Sequence, residues 1–154
     1  MTLAAIGIGS NAGDATANVC RAFERLGEVG TVVACSRLYR TRPWGVTHQA
    51  PFVNAAALVG TELAPRALLG ELKRIEAEEG RVPTFRWGPR LLDLDILTYG
   101  DVRLDEPGLV IPHARLHERA FALVPLAEID PRYAGLRDAL PRGERAAVVE
   151  LAPQ

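Results

Sequence analysis

Asp93 and Asp95 stand two residues apart in the run Arg86-Trp87-Gly88-Pro89-Arg90-Leu91-Leu92-Asp93-Leu94-Asp95-Ile96-Leu97. Side chains on a strand alternate between faces. The spacing therefore puts both carboxylates on one face and Leu92, Leu94 and Ile96 on the other. Two acids about 7 Å apart along the backbone repel each other unless a cation lies between them. A divalent metal, or a pair of ions about 3.5–4 Å apart, is the natural occupant. Arg81, Arg86 and Arg90 lie just upstream, and a planar guanidinium grips phosphate oxygens through parallel hydrogen bonds. Together these residues point to phosphoryl-type chemistry. The competing readings are solvated acids on an edge strand and ordinary surface arginines.

Other residues bear on the same chemistry. There is no P-loop of the GxxxxGKS or GxxxxGKT type, and Lys73, the only lysine, follows no glycine-rich turn. A triphosphate held here must be held by Arg, His and metal. Glu76 lies close to the apolar stripe of a helical segment, where the bland role is a flank carboxylate paired with an arginine. His113 and His117 are four apart, but Pro112 precedes the first and no third ligand follows at zinc spacing. Asn54 interrupts an apolar strand-like run, where Asn is disfavoured. Its buried amide must be satisfied, so it either ties down the preceding loop or reads a ligand's hydrogen-bonding edge.

The whole chain constrains these readings. Its 154 residues suit one domain, expected to span 1–154, and a chain of that size buries about 70% of its unfolded surface. With 48% hydrophobic and 24% charged residues and a net charge of −1, it carries no global bias toward nucleic acid or anionic lipid. Cys20 and Cys35 have no metal-type spacing and suit a reducing compartment. The N-terminus lacks a basic signal region, and no apolar run is long enough to span a bilayer. A cytoplasmic protein is expected.

The elements that must position the acids follow from periodicity. Leu3 to Ile8 reads as a strand with a tight exit at 9–13. Ala15, Val19, Ala22, Phe23 and Leu26 mark one helix face, capped by Asp14 or Asn11. Thr31 to Tyr39 reads as a second strand, 40–51 as a loop and Phe52 to Thr61 as a third strand. Pro65 opens a helix carrying Leu68, Leu72 and Ile75. Gly80 to Pro89 is a second loop, Leu91 to Tyr99 a fourth strand, Val102 to Leu104 a short one, and Arg119 to Ile129 a short helix. From Pro131 the signals are weak. Strand–helix–strand–strand–helix–strand is the order of a ferredoxin-like α+β sandwich: a mostly antiparallel central sheet with helices on one face and active-site loops on the other.

Five ordered motifs carry a resemblance. They are Gly9-Ser10-Asn11-x-Gly13, Tyr39-Arg40-Thr41-x-Pro43-x-Gly45, Gln49-x-x-Phe52-x-Asn54, the Arg86-to-Ile96 block, and Pro112-His113 through Arg119-x-Phe121-x-Leu123-x-Pro125-Leu126-x-Glu128-Ile129. Across about residues 2 to 133 the chain resembles the 6-hydroxymethyl-7,8-dihydropterin pyrophosphokinases of folate biosynthesis. The resemblance implies that ATP is a co-substrate, that a pyrophosphoryl group passes to the pterin hydroxymethyl oxygen, and that AMP leaves. It implies that Asp93 and Asp95 hold two Mg²⁺ ions and that Phe52 and Phe121 sandwich the pterin. Thr41, Trp44, Asn54 and Trp87 complete the implied pterin site. Lys73, Glu76, Trp87, Arg90, Ile96, Val110, His113 and Arg119 surround the implied nucleotide, and Arg81 and Arg90 join Asp95 as implied catalytic residues. Asp95 is the candidate acceptor of the hydroxyl proton.

A monomer acting on small molecules, without nucleic-acid or membrane partners, is expected. An RNA-binding module of this fold would need stacking aromatics and a basic face. A regulatory domain that had lost its chemistry would show broken acids. A nucleotidyltransferase would release pyrophosphate in place of AMP.

Overall fold

The computed structural model describes residues 1–41, 51–80 and 91–151. Its first strand, β1 (Thr2–Ser10), alternates as its sequence demands. Ile6 and Ile8 face one side and Gly7 and Gly9 the other. Gly13, at a φ of 62°, makes the turn that follows. Asp14 caps α1 (Ala15–Arg25) by accepting the backbone N–H of Ala17 at 3.1 Å. The edge strand comes in two pieces, β2 (Thr31–Cys35) and β3 (Tyr39–Thr41), both antiparallel to β4 (Phe52–Thr61). Pro65 begins α2 (Pro65–Glu78), which leads across to β5 (Asp93–Tyr99).

Together these strands lie in the order β5-β1-β4-β3, with β2 also on β4. This is the expected ferredoxin-like sandwich with its second strand divided. Ser36 explains the division. Its hydroxyl accepts the Ala56 N–H at 2.9 Å and donates to the Arg37 carbonyl at 2.7 Å, while its own N–H reaches the Ala56 carbonyl at 2.8 Å. A side chain that takes over a ladder bond stops the regular pairing. The unbroken strand expected over Thr31 to Tyr39 is corrected accordingly.

Two cores flank the sheet. Ile6, Ile8, Val59, Leu94 and Ile96 pack with Val19, Leu26, Leu68, Leu72 and Ile75 between the sheet and α1 and α2. The opposite face is not left to loops alone, as the sequence suggested. A third helix, α3 (Ala120–Ile129), brings Leu123 and Leu126 onto Ala5, Tyr39 and Leu97. Its residues are apolar almost all round, the mark of a helix buried on more than one side. The fourth strand starts at Asp93, two residues later than read. The short strand expected at Val102 to Leu104 is instead a hairpin of β6 (Leu104–Glu106) and β7 (Leu109–Ile111), turned by Gly108 at a φ of 77°. Beyond Pro131, where signals were weak, α4 (Ala134–Asp138), α5 (Arg142–Ala146) and β8 (Val149–Glu150) return the chain to pair β8 with β3.

Candidate active site

Sheet register assembles the site. Across adjacent strands Tyr39 pairs with Asn54, Asn54 with Gly9, and Gly9 with Asp93. Directly opposed residues share a face, so these four form one row. The next row sets Ala56, Gly7 and Asp95 side by side. Both rows lie on the face opposite Ile6, Ile8, Leu92, Leu94 and Ile96, which are buried in the first core. The period-two reading of the acids is thus realised: Asp93 and Asp95 are half-buried on one face with leucines behind them.

The two glycines keep the floor flat between the acids and the amide. A Cβ on Gly9 would stand 3.0 Å from Asn54 Nδ2 and 3.8 Å from Phe52 Cδ1, and one on Gly7 would meet Leu97 at 3.1 Å. Asn54 is buried, and its Oδ1 accepts the Thr41 hydroxyl at 3.0 Å. Both readings of this asparagine therefore share one geometry. Thr41 ties it to the start of the 42–50 segment, and the amide keeps hydrogen-bonding capacity for a ligand. Phe52 is half-buried beside it on β4, opposite Thr41. Phe121 is in the first turn of α3, with the Arg119 guanidinium over its ring at 5.5 Å.

β5 is an edge strand, and α2 secures the edge. The Leu94 N–H donates to Glu76 Oε2 at 2.6 Å, while Lys73 Nζ reaches the Leu94 carbonyl at 3.4 Å and Glu76 Oε2 at 3.2 Å. Glu76 is only 1% exposed, so burying its charge is tolerable only with such charge-assisted partners. Among the described residues its partners include a lysine and a backbone amide. This clamp holds the residue between the two acids. The Ile96 side chain is buried in the first core, which leaves its main chain as the part a ligand can use.

His113 follows the cis Ile111–Pro112 bond, and its N–H donates to the Leu97 carbonyl at 2.9 Å. The Arg115 N–H approaches its Nδ1 at 3.3 Å, so the neutral ring carries its proton on Nε2. Burial pushes this imidazole below the usual histidine range, against the opposing pull of Asp95. His117 is in a separate short 3-10 turn, Leu116–Glu118. Val110 is exposed on β7, and Arg119 caps α3 without a side-chain cap bond.

Among the described residues no cluster of three His, Cys, Asp or Glu could hold a metal, and no helix is long and apolar enough to cross a membrane. The donor set is the pair Asp93 and Asp95. Two carboxylates fit a hard cation that fills its remaining positions with water and phosphate oxygens. Trp44, Arg81, Trp87 and Arg90, with Arg86 and Gln49, lie outside the described residues. The structure also brings in Glu128, which joins α3 to Arg37 and Tyr39. Its place in a helix after Pro125 gave no sequence signal for that reach.

Known proteins share this pattern. The sequence model of the family described as 7,8-dihydro-6-hydroxymethylpterin-pyrophosphokinase (HPPK) matches residues 5–131. The 2-amino-4-hydroxy-6-hydroxymethyldihydropteridine pyrophosphokinase of Methylorubrum extorquens is 50% identical over 133 residues, 85% of this chain and 84% of its own. The protein of the same name from Haemophilus influenzae is 43% identical over 131 residues, 84% of this chain and 82% of its own. The wild-type HPPK-DHPS crystal structure from Plasmodium falciparum matches with a TM-score of 0.67 at 15% identity, over 90% of this chain and 43% of that one. That last likeness concerns the fold.

Proposed function

The chain belongs to the 7,8-dihydro-6-hydroxymethylpterin-pyrophosphokinase family, and from that premise we infer what each part of its site does. It is a 2-amino-4-hydroxy-6-hydroxymethyldihydropteridine pyrophosphokinase, transferring a pyrophosphoryl group from ATP to hydroxymethyldihydropterin in folate synthesis. Transfer of the two terminal phosphates leaves AMP.

The carrying observation is the row Asn54–Gly9–Asp93 with Asp95 beside it. It sets a hydrogen-bonding amide and a pair of acids on one floor, a single strand apart. Asn54, oriented by Thr41, reads the amide and amino edge of the pterin. Phe52 and Phe121 stack on its faces, each adding about 0.5–1.5 kcal/mol beyond area burial, and the family resemblance assigns Trp44 and Trp87 to the same substrate.

Asp93 and Asp95 would hold two magnesium ions, which would neutralise the polyphosphate and lower the proton affinity of the attacking hydroxyl. Lys73, Glu76, His113, Arg119, Val110 and the Ile96 main chain line the nucleotide side. Glu76 also keeps β5, and so both acids, fixed to α2. Arg81 and Arg90 stabilise charge that grows on the transferred group and on the departing AMP oxygen, where binding counts most toward rate. Asp95, whose charge acts on the His113 imidazole, serves as acceptor for the hydroxyl proton.

We read 1–154 as one catalytic domain acting as a cytoplasmic monomer without nucleic-acid partners. Several observations support this. Arg21, Arg25, Arg74 and Arg132 are paired with carboxylates, β8 covers part of β3, α2 side chains cover part of β5, and Cys20 and Cys35 are free thiols.

An assay for AMP from ATP and hydroxymethyldihydropterin tests the reading. Asp93→Ala should lose turnover by at least about a thousandfold, about 4 kcal/mol, with its circular dichroism unchanged. Pyrophosphate in place of AMP, or an active Asp93→Ala enzyme, would refute it.

A further inference from the structure

The edge strand leaves the sheet at Ser36 and re-enters at Tyr39, and one carboxylate from the far helix governs that re-entry. Glu128, in the last turn of α3, accepts the Arg37 backbone N–H through both oxygens, at 3.1 and 3.0 Å, and also accepts the Tyr39 hydroxyl. Tyr39 is buried in the second core beside α3 and pairs directly with Asn54. Two residues on, Thr41 pairs with Phe52 and donates to Asn54 Oδ1. That bond fixes which way the amide lies: Oδ1 toward β3, Nδ2 over Gly9. A continuous strand would set Thr41 by ladder bonds alone. Here three residues out of regular pairing separate β2 from β3, so the register of β3 needs its own anchor. Burial, then the hydrogen bond to Glu128, pushes the Tyr39 hydroxyl above its usual range, which keeps it a proton donor.

We propose that Glu128 is a positioning residue for pterin recognition, holding β3 in the register from which Thr41 aims the Asn54 amide. The inference rests on the pterin assignment made above. The chemistry calls for a carboxylate. Both oxygens face the Arg37 N–H, and one of them also accepts the Tyr39 O–H, whereas a glutamine in either orientation sets an NH₂ against that N–H. Glu128→Gln keeps the shape of the side chain and places a donor against a donor.

The test is steady-state kinetics of the full-length protein with each substrate varied in turn, circular dichroism confirming the fold. Glu128→Gln should raise the KM for hydroxymethyldihydropterin about tenfold, since a donor facing the Arg37 N–H pushes β3 out of register with Asn54. The KM for ATP should stay within about twofold and kcat within about threefold, the pattern of a lost substrate contact. Tyr39→Phe should move the pterin KM the same way by a smaller factor, and it covers the case in which Glu128→Gln does not fold. A general loosening of the protein would move both KM values together, and that result overturns the proposal, as does a wild-type pterin KM in both variants. Asn54→Ala separates the two levels of inference. If it raises the pterin KM while the Glu128 and Tyr39 variants match wild type, the anchor is wrong and the pocket stands. If Asn54→Ala has no effect, the pocket assignment fails and the anchor falls with it.

Discussion

Gly9 separates the residue proposed to read the pterin from the first acid proposed to hold metal, and it succeeds by having no side chain. An added methyl would stand 3.0 Å from Asn54 Nδ2, closer than a Cβ ordinarily sits, so the amide must yield by a few tenths of an ångström. Gly9→Ala should therefore fold normally and weaken hydroxymethyldihydropterin binding about tenfold, about 1.4 kcal/mol, which a direct titration will show. Binding at wild-type strength would mean that the amide has room to move. The acids were legible in the sequence because a two-residue period speaks directly about strand faces. Gly9 was read only as part of a tight exit, since its role depends on a neighbour 45 positions away in β4. Glu76 shows the same limit. Its closeness to the apolar stripe was visible, but its bond to the Leu94 N–H belongs to the packing of α2 on β5.

α1 and α2 are joined over their solvent side by a lattice of charges. Arg21 and Arg25 meet Glu79 at 2.8 and 3.0 Å, and Arg74 meets Glu71, Glu78 and Glu28 at 2.8, 3.0 and 3.2 Å. Hydrogen bonds from Arg25 hold the Glu28 and Glu78 carboxyls below their ordinary range, and Arg21 does so for Glu79. A carboxyl depressed in the folded state adds stability above its unfolded pKa, and that contribution is lost as pH falls through the folded value. Stability by urea unfolding should thus decline between about pH 6 and about pH 3. In Arg25→Met the decline should be smaller, and about 0.5 M salt should narrow the gap between the two proteins. An identical decline in both would show that the lattice contributes nothing. Helix and strand positions were the most legible part of the chain, because α1, α2, β1 and β4 obey simple periods. The break at Ser36 was not, since a serine in a β-branched run gives no sign that its hydroxyl will replace a ladder carbonyl. The covering of the second face by α3 was hidden too: a helix apolar all round does not say which neighbour it covers.

The second core closes only when the end of the chain returns to it. Leu140 and Val148 are buried with Tyr39, Leu116 and Leu123, and β8 pairs with β3 while Arg37 meets Glu150 at 3.1 Å. Leu140→Ala should therefore cost about 2–4 kcal/mol of unfolding free energy. A loss below about 0.5 kcal/mol would show that this segment folds apart from the rest. The family model stops at residue 131, and the sequence beyond it offered only short helices and a two-residue strand, too brief for any period to register. The central strand carries the opposite property. β1 bonds on one side to the strand that bears the acids and on the other to the strand that bears the amide. Loss of one codon inside Thr2–Ser10 would rotate every later side chain of that strand by half a turn. Isoleucines would then rise into the floor between two ligands while glycines dropped into the oil behind it. Both binding halves would fail in the same stroke, so coding-length changes in those nine residues should be lethal to activity where point substitutions only dent it.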